Sequence, residues 1–354
     1  MSLWQNKTIE ERIAIIQNVS SEKNLEELVV EKDWWVTVTL KALFSTSFSD
    51  DLSFKGGTSL SKGWKSIDLK RFSEDIDIAI SRGWFTRDEK SKQLYPFAAC
   101  ETNNQIKQLR KALRKIVFEQ LAAELDQQLQ SIGISGYTIE KVTTEETAKG
   151  TVEIDSDRDP VIINVIFESI LEEKNQYIQP KVKIEISGLS MDEPIENRTI
   201  SSTIYDKYPD VDNDSLCTIP TVLPIRTFLE KAFLLNEEYQ KKSPRTERMS
   251  RHLYDLEKLM DTCSKDALAD DKLYNDIIAH RMKFYHIGTV DYNKDKKENI
   301  IIWPNDLLEP EYEKDYKAMT ESFIYDDSPL SYSDLKKRIN KLEETFRNSK
   351  SRNP

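Results

Sequence analysis

Apolar residues recur at helical spacing in residues 8–46 and again in most of the chain from Thr221 onward. Thr8 and Glu11 form a capping-box pattern at the start of TIEERIAIIQNV, which predicts a helix beginning there. A second run, LEELVVEKDWWVTVTLKALF, predicts another helix. Residues 101–132 keep an apolar stripe that predicts a long amphipathic helix. The last helix that we expect is DLKKRINKLEETF.

Between these helical regions the pattern changes to the alternation that is typical of strands. LSFKGG predicts a short strand that stops at a glycine pair, TSLSKGW predicts a helix, and DIDIAI predicts an alternating strand. Three further runs predict strands: GYTIEKVTT, PVIINVIFES and KVKIEIS. Residues 205–220, YDKYPDVDNDSLCTIP, are rich in Asp and Pro and predict a linker.

The order of these elements predicts an α+β or mixed α/β fold with helical additions at both ends. We expect N-terminal helices in residues 1–48 that pack on a core of residues 49–215. A helical C-terminal domain is expected in residues 216–354.

Composition narrows the class of protein. With 354 residues, 38% of them hydrophobic, the chain is long enough for two domains with a buried core. Its net charge of −11 argues against a nonspecific nucleic-acid coat protein, because such binding depends on Lys and Arg. Three scattered cysteines and three histidines suit a reducing compartment and disfavour zinc. No signal peptide or membrane-length apolar run is present, so we expect a cytoplasmic protein without membrane partners.

Asp75 and Asp77 are the first candidates for chemistry. Side chains alternate along a strand, so both carboxylates are expected on the same side. Two carboxylates and substrate phosphates are a common set of ligands for Mg²⁺. The alternative is that they are two solvated charges on an exposed strand face.

Gly56 and Gly57 lie between the predicted strand and helix that precede this pair. Glycines at such a position let backbone amides approach a phosphate, and a helix N-terminus favours anions. The alternative is an ordinary turn, since the spacings of the P-loop and of the dinucleotide-binding motif are absent. Together, the glycine turn and the paired carboxylates predict a nucleotidyltransferase, which must hold a triphosphate and place metal ions on it.

At this point the sequence resembles a known family. FKGGTSLSKGW followed by RFSEDIDIAI is similar to the first two motifs of the AbiEii/AbiGii-type nucleotidyltransferase toxins, which belong to the DNA polymerase β-like nucleotidyltransferase superfamily. RTFLEKAFLLNEEY resembles the third motif, centred on Glu230 and Lys231, and SRHLYDLEKL the fourth, centred on Asp255. EKDWWVTVTLKALF and DYKAMTESFIY also look like family segments, so the resemblance spans nearly the whole chain.

The resemblance implies a polymerase β-like core with a mixed sheet and flanking helices. It implies that Asp75 and Asp77 bind Mg²⁺ or Mn²⁺, that Lys231 contacts nucleotide phosphate, and that Asp255 completes the active site from the helical part. The residues implied to bind the nucleotide are Gly56, Gly57, Thr58 and Ser59 in the turn, with Lys55, Lys62, Arg71 and Ser73 as further phosphate contacts.

The sequence departs from the superfamily pattern in one respect, because the gap between Gly57 and Asp75 is longer than usual. The superfamily often adds a third carboxylate from a later strand, for which Glu185 is the first candidate and Glu168 the second. Either glutamate can equally be an outward-facing strand residue.

Residues from the helical regions have alternative interpretations as well. Lys231 lies in an apolar helix, where a lysine either extends to water or reaches into a site; with the motif, phosphate binding is the better interpretation. Arg251 and Asp255 are spaced to form a surface ion pair on one helix face, whereas the functional reading places Asp255 near the phosphates or as a residue that orients Lys231. A basic cluster in residues 101–132 is either an RNA contact or a solvated helix face: Lys107, Arg110, Lys111, Arg114 and Lys115.

Our leading hypothesis is a metal-dependent nucleotidyltransferase that moves an NMP from an NTP to an acceptor. By the resemblance, the acceptor is tRNA or another RNA, and the protein is the toxin of a toxin–antitoxin or phage-defence system with a cognate antitoxin. One alternative is a kinase-like or protein-modifying (NMPylating) transferase of the same fold, with Ser73 as a target. Another is an inactive NTP-binding module.

Overall fold

The chain forms two compact units in the computed structural model. The residues that the structure describes are 2–97, 99–147, 150–171, 179–191, 193–326 and 328–349. Unit 1 comprises the described residues of Met1–Gly63 and Ser73–Thr221. Unit 2 comprises those of Trp64–Phe72 and Val222–Pro354. The chain therefore leaves unit 1 after Gly63 and returns to it at Ser73.

A mixed sheet forms the centre of unit 1. The described strands are β1 Leu52–Lys55, β2 Ile76–Ile80, β3 Tyr137–Lys141, β4 Thr144–Thr147, β5 Gly150–Glu153, β6 Val161–Phe167, β7 Lys181–Ser187, β8 Ile195–Ile200 and β9 Cys217–Val222. Seven of these strands pair in the order β3-β6-β7-β2-β1-β9-β8, and β4 and β5 form a separate antiparallel hairpin. The sheet is mixed because β7 and β2 are parallel, as are β1 and β9, whereas β1 and β2 are antiparallel.

Alternation along the strands decides which side of the sheet is buried. In β7, Val182, Ile184 and Ile186 are buried, whereas Lys183 and Glu185 are half-buried. Residues of a strand alternate between its two faces, so one face of β7 joins the core and the other carries charged side chains. The predicted α+β class is confirmed in this form, as a mixed sheet with many helices.

Unit 1 also contains a set of helices. They are α1 Ile9–Lys23, α2 Glu27–Leu43, α3 Gly56–Gly63, α4 Gly83–Arg87, α5 Glu89–Leu94, α6 Asn103–Ile116, α7 Ala122–Ser131 and α8 Thr203–Lys207. The predicted capping box of Thr8 and Glu11 is present at the start of α1. The long helix predicted over residues 101–132 is α6 and α7, joined by a π-helical turn, Val117–Leu121. Helix α2 is nearly all buried and packs against β7 and α7.

Unit 2 consists largely of helices. Those described are α9 Pro224–Glu238, α10 Ser250–Ala269, α11 Asp271–Phe284, α12 Glu309–Ser322 and α13 Tyr332–Asn348. Helix α10 packs against α9, α12 and α13, and the rings of Phe228 and Phe346 stack 5.8 Å apart in the core. The segment Trp64–Phe72 is held in unit 2 by backbone hydrogen bonds. One of them runs from Phe72 N to Phe323 O, at 2.8 Å.

The linker predicted for residues 205–220 is wrong, because the segment is folded into unit 1. It overlaps the end of α8, and β9 begins within it. Asp212 and Ser215 are fully buried, and the Asp212 carboxylate accepts hydrogen bonds from the hydroxyls of Ser202 and Ser215. The high Asp content therefore reflects buried hydrogen bonding. Within the described part of the chain, no helix is long and apolar enough to cross a membrane.

Candidate active site

Gly56 joins β1 to α3 at the glycine turn that the sequence predicts. Its φ is +80°, in the left-handed region that glycine adopts without strain. A Cβ atom built on Gly56 would lie 1.9 Å from Oδ2 of Asp77. The absence of a side chain at Gly56 therefore leaves the space that the Asp77 carboxylate fills, next to the first residue of α3.

Strand register places three charged residues in one row across the sheet. Lys55 of β1 pairs with Asp77 of β2, and Asp77 pairs with Glu185 of β7. Paired residues on adjacent strands project from the same face. The row therefore has the Asp77 carboxylate between the ammonium of Lys55 and the carboxylate of Glu185.

Lys183 adds a cation to this acidic group. It lies two residues before Glu185, on the same face of β7, and forms an ion pair with the Glu185 carboxylate. Burial alone would lower the pKa of Lys183, but the charges of Glu185, Asp75 and Asp77 together raise it. A single ammonium thus lies in the field of three carboxylates.

Asp75 lies just before β2, which begins one residue later than the sequence predicts, at Ile76. The backbone oxygen of Asp75 accepts a hydrogen bond from the Thr58 hydroxyl at 2.5 Å. The same hydroxyl lies 2.9 Å from Oγ of Ser73. Thr58 of α3 therefore connects the helix at the glycine turn to the segment that carries the first aspartate.

The predicted phosphate turn lies in the first turn of α3. Helix N-termini have backbone N–H groups without intrahelical partners, and those groups bind anions. Gly57 and Thr58 occupy that turn, and the Ser59 hydroxyl donates to the Gly56 oxygen at 2.9 Å. The Ser59 hydroxyl thus bonds within the turn and the Thr58 hydroxyl bonds to the segment Ser73–Asp75, whereas the backbone amides of the turn are the groups suited to a phosphate.

The carboxylates near α3 fit a divalent cation by their chemistry. Asp75, Asp77 and Glu185 supply hard oxygen donors, and all three act on the same ammonium of Lys183. Across the described ranges, no three His, Cys, Asp or Glu side chains lie close enough together to hold a metal ion. Two carboxylates together with substrate phosphates remain the set that Mg²⁺ commonly uses.

Two of the lysines predicted as phosphate contacts have protein partners in unit 1. Lys55 Nζ donates to the Ser190 hydroxyl at 2.8 Å. Lys62 is buried, and its ammonium lies 2.5 Å from Oδ1 of Asp33 and 3.3 Å from the Ser201 oxygen. Their roles toward a nucleotide stay predictions.

The two candidates for a third carboxylate lie in different places. Glu185 pairs with Asp77, whereas Glu168 follows the end of β6 and is exposed. Glu168 lines a cavity of about 420 Å³ whose walls include Trp4, Trp34 and Arg12. None of the predicted nucleotide-binding residues lines this cavity, so the cavity does not favour Glu168 as the third carboxylate. The strand register, which pairs Glu185 with Asp77, favours Glu185.

In unit 2, Asp255 is the centre of a buried ion cluster. It is fully buried, and Arg71 binds it with two hydrogen bonds of 2.6 and 2.8 Å. Lys231 Nζ lies 2.8 Å from Oδ2 of Asp255 and 3.5 Å from Nδ1 of His252. The interpretation of Asp255 as half of a surface pair with Arg251 is therefore wrong. Lys231 likewise does not extend to water, since it is itself buried.

Burial and charge shift the pKa values of this cluster strongly. Burial alone would raise the pKa of Asp255, but Arg71 and Lys231 hold it well below its usual range. Burial and the charge of Arg71 lower the pKa of Lys231, although Asp255 opposes the shift. Burial and the charge of Lys231 also lower the pKa of His252 well below its usual value. Such clusters of shifted groups are typical of functional sites as well as of structural ion networks.

Two basic residues of α6 are bound to the chain segment that follows β5. Arg114 donates to the backbone oxygens of Ile154 and Asp155 at 2.9 and 2.8 Å. Lys107 lies 3.7 Å from the carboxylate of Asp157. At least these two side chains therefore have a structural use, and an RNA contact at α6 stays a prediction.

Sequence reasoning missed Lys183 and the partner of Arg71. The charged positions of KVKIEIS alternate with apolar ones, so the pattern does place Lys183 and Glu185 on one face. Nothing in the local pattern shows that this face is shared with Asp77. The pairing of Arg71 with Asp255 joins residues far apart in sequence and has no local signal.

A comparison with models of protein families matches this chain to a family. A search of curated proteins found no match. The family model described as nucleotidyl transferase AbiEii toxin, type IV TA system, matches residues 39–347, which include the glycine turn, both aspartates, Lys231 and Asp255. The chain therefore belongs to the AbiEii nucleotidyl transferase toxin family of type IV toxin–antitoxin systems.

Proposed function

We propose that this protein is a metal-dependent nucleotidyltransferase with a polymerase β-like core, which transfers an NMP from an NTP to an RNA acceptor such as tRNA. In the cell it would act as the toxin of a toxin–antitoxin pair, with a cognate antitoxin as its partner, and a role in phage defence suits that assignment. The observation that carries the proposal is the close approach of the Asp77 carboxylate to Gly56, because it brings acidic groups to a helix N-terminus suited to phosphate.

The metal ion fits the acidic side of this arrangement. Asp75 and Asp77 would hold Mg²⁺ or Mn²⁺ together with phosphate oxygens of the substrate, whereas Glu185, predicted as a third ligand, is ion-paired with Lys183. When bound, such an ion neutralises charge on the phosphates and lowers the pKa of an attacking hydroxyl. The electrostatic support is that Asp75, Asp77 and Glu185 already act on one ammonium, that of Lys183.

The residues of the chain would mainly position and neutralise the substrate. In phosphoryl-type transfers the protein supplies orientation and charge stabilisation more than covalent chemistry. The amides of Gly57 and Thr58 would bind phosphate oxygens at the start of α3. Lys55, paired in register with Asp77, would add positive charge at the same row.

Lys231 and Asp255 remain predicted members of the active site. Within unit 2, Asp255 holds the ammonium of Lys231 at 2.8 Å, and Arg71 fixes Asp255 through two further hydrogen bonds. A lysine held in this way is pre-oriented, which lowers the entropic cost of binding a phosphate.

The proposal is tested by incubating the protein with each α-³²P-labelled NTP, Mg²⁺ and total RNA. We expect label in RNA with the wild-type protein and a loss of about 10²–10³-fold or more in Asp75→Asn and Asp77→Asn. Asp276→Asn is the matched control, because Asp276 is an exposed carboxylate that forms an ion pair with the exposed Lys272 on α11.

Three outcomes would contradict the proposal. Label on protein with unmodified RNA would favour a protein-modifying transferase. No transfer with any NTP, and no thermal stabilisation by NTP with Mg²⁺, would favour an inactive module, since a bound ligand must raise stability. Wild-type transfer activity in Asp75→Asn would show that Asp75 is not needed for the reaction.

A further inference from the structure

Helix α2 carries a buried lysine whose only side-chain hydrogen bonds in the described structure are to two segments near the candidate site. Lys32 is 2% exposed. Its ammonium lies 2.5 Å from Oε2 of Glu74 and donates to the Gln179 oxygen at 3.0 Å. Glu74 is the residue immediately before Asp75. A charged hydrogen bond from a buried residue of α2 therefore joins this helix to the segment that carries Asp75.

The next residue of α2, Asp33, is bonded to α3, the helix that begins at the glycine turn. The Asp33 carboxylate lies 2.5 Å from Nζ of Lys62 near the end of α3, and its second oxygen accepts from Thr203 N at 2.7 Å. Lys32 and Asp33 are consecutive in a helix that packs against the sheet. Two adjacent residues of one rigid element thus hold the segment before β2 and the helix of the glycine turn.

The path of the chain explains why such a support is needed. After Gly63 the chain enters unit 2, and it returns only at Ser73. The connection between α3 and Asp75 is therefore too long to fix their separation. Pairing of β1 with β2 fixes Asp77 opposite Lys55, but Asp75 lies outside the strand. Within unit 1, hydrogen bonds from Thr58 and Lys32 both hold the segment Ser73–Asp75.

We propose that Lys32 is a positioning residue of the active site, which acts through Glu74 to hold Asp75 where it shares a cation with Asp77. The inference rests on the proposed function, since it assumes that the two aspartates bind a divalent ion. Lys32 touches neither substrate nor metal. Its effect is to keep the segment Ser73–Asp75 from relaxing away from α3, as outer partners of metal ligands do in other sites.

The direct readout is the dissociation constant of Mn²⁺, measured by electron paramagnetic resonance on the full-length protein. Removing an outer partner of a metal ligand typically weakens metal binding by about 10–100-fold. Because Lys32 contacts Glu74, the neighbour of Asp75, and not Asp75 itself, we expect a loss at the lower end of this range in Lys32→Met, about 10-fold. We expect most of the wild-type affinity in Lys32→Arg, which keeps the positive charge. Where transfer is measured, we expect excess Mg²⁺ to restore much of the activity of Lys32→Met, which a general loss of structure would not allow.

A second variant distinguishes the loss of the charged connection from unfolding of the protein. Removing one partner of a buried ion pair leaves an uncompensated charge, whereas removing both charges is often close to neutral for stability. The double variant Lys32→Met with Glu74→Gln therefore keeps the fold but loses the charged connection. We expect it to bind Mn²⁺ about as weakly as Lys32→Met.

Unit 2 offers a matched control for the loss of a buried lysine. Lys297 is also buried, and its ammonium donates to the Leu268 oxygen at 2.7 Å and lies 2.5 Å from Oδ1 of Asp271. Lys297→Met removes the same kind of interaction and should leave the Mn²⁺ constant unchanged. Equal weakening in Lys297→Met, or wild-type affinity in the double variant, would overturn the inference.

The test separates this inference from the proposed function. If the wild-type protein transfers no NMP but the double variant still binds Mn²⁺ more weakly, the positioning role stands and the proposed reaction fails. If the wild-type protein transfers NMP and the Lys32 variants bind Mn²⁺ normally, the reaction stands and the positioning role fails. A wild-type protein that binds no Mn²⁺, either alone or with an NTP present, overturns the positioning role together with the metal dependence.

Discussion

The contact between Gly56 and Asp77 predicts a specific cost for Gly56→Ala. The new Cβ would lie 1.9 Å from Oδ2 of Asp77 and 2.7 Å from its Cγ, far inside van der Waals contact. The methyl group would also hold a left-handed backbone at φ +80°, which costs roughly 1–2 kcal/mol for a residue other than glycine. Displacement of a packed side chain adds roughly 1–3 kcal/mol. We expect a total loss in unfolding free energy of about 2–5 kcal/mol.

Gly150→Ala separates these two contributions. Gly150 also has a positive φ, of +103°, but no atom of the described residues lies within 4 Å of a Cβ built there. It belongs to unit 1, as Gly56 does. Its substitution should therefore cost only the backbone strain, roughly 1–2 kcal/mol. Urea denaturation followed by tryptophan fluorescence measures both variants in the same unit.

A double-variant cycle then tests whether Asp77 is the group that the methyl displaces. In an Asp77→Gly background the carboxylate and Cβ of residue 77 are absent, so Gly56→Ala should cost no more than Gly150→Ala. Contacting residues are expected to deviate from additivity in this way. Equal costs of Gly56→Ala in the two backgrounds would refute the proposed contact.

Activity should fall more than stability in Gly56→Ala. The methyl would push the Asp77 carboxylate by about 1 Å or more, and a misplacement of that size can reduce the rate about 100-fold. The assay is NMP transfer at a temperature at which the variant is folded. Wild-type activity in a folded Gly56→Ala protein would show that the position of Asp77 is not critical.

Two further predictions concern unit 2. Asp255→Asn should destabilise the protein by about 3–5 kcal/mol in urea denaturation, because it leaves the buried charges of Arg71 and Lys231 without a counter-charge; the exposed Asp276→Asn should cost less than about 1 kcal/mol, and equal losses would contradict the reasoning. Burial raises the pKa of Asp295 from 3.8 to about 7. The folded state therefore binds this proton more tightly than the unfolded chain does. The stability that results is complete below pH 3.8 and is lost as the pH rises to about 7. Asp295→Asn should reduce the decline in unfolding free energy over that range by up to about 4 kcal/mol, and an unchanged pH profile would refute the shift.

Several features of the fold are determined by short stretches of sequence. The capping box at Thr8 and the apolar stripe of residues 101–132 predict helices that the structure confirms. The alternation of KVKIEIS predicts β7, and the glycine pair predicts the turn from β1 into α3. These features depend on backbone conformation and on the helix and strand periods, which neighbouring residues fix among themselves.

The motifs also identify the chemical groups of the candidate site. Asp75 and Asp77 are candidates because two carboxylates follow a glycine turn suited to phosphate, and both lie within the residues that the family model matches. The sequence names Glu185 as the first candidate for a third carboxylate and Glu168 as the second, but it does not show which of them lies beside Asp77. That choice follows from the pairing of β2 with β7, which joins strands about a hundred residues apart.

Only the tertiary structure decided the long-range pairs of charges. The burial of Asp255 between Arg71 and Lys231, the ion pair of Lys32 with Glu74, and the field of three carboxylates at Lys183 have no local signature. The energy of a charge depends on its burial and on its nearest counter-charge, and both are properties of the packed chain. The sequence by itself determined which groups are present and which local elements carry them, whereas packing determined which of these groups meet.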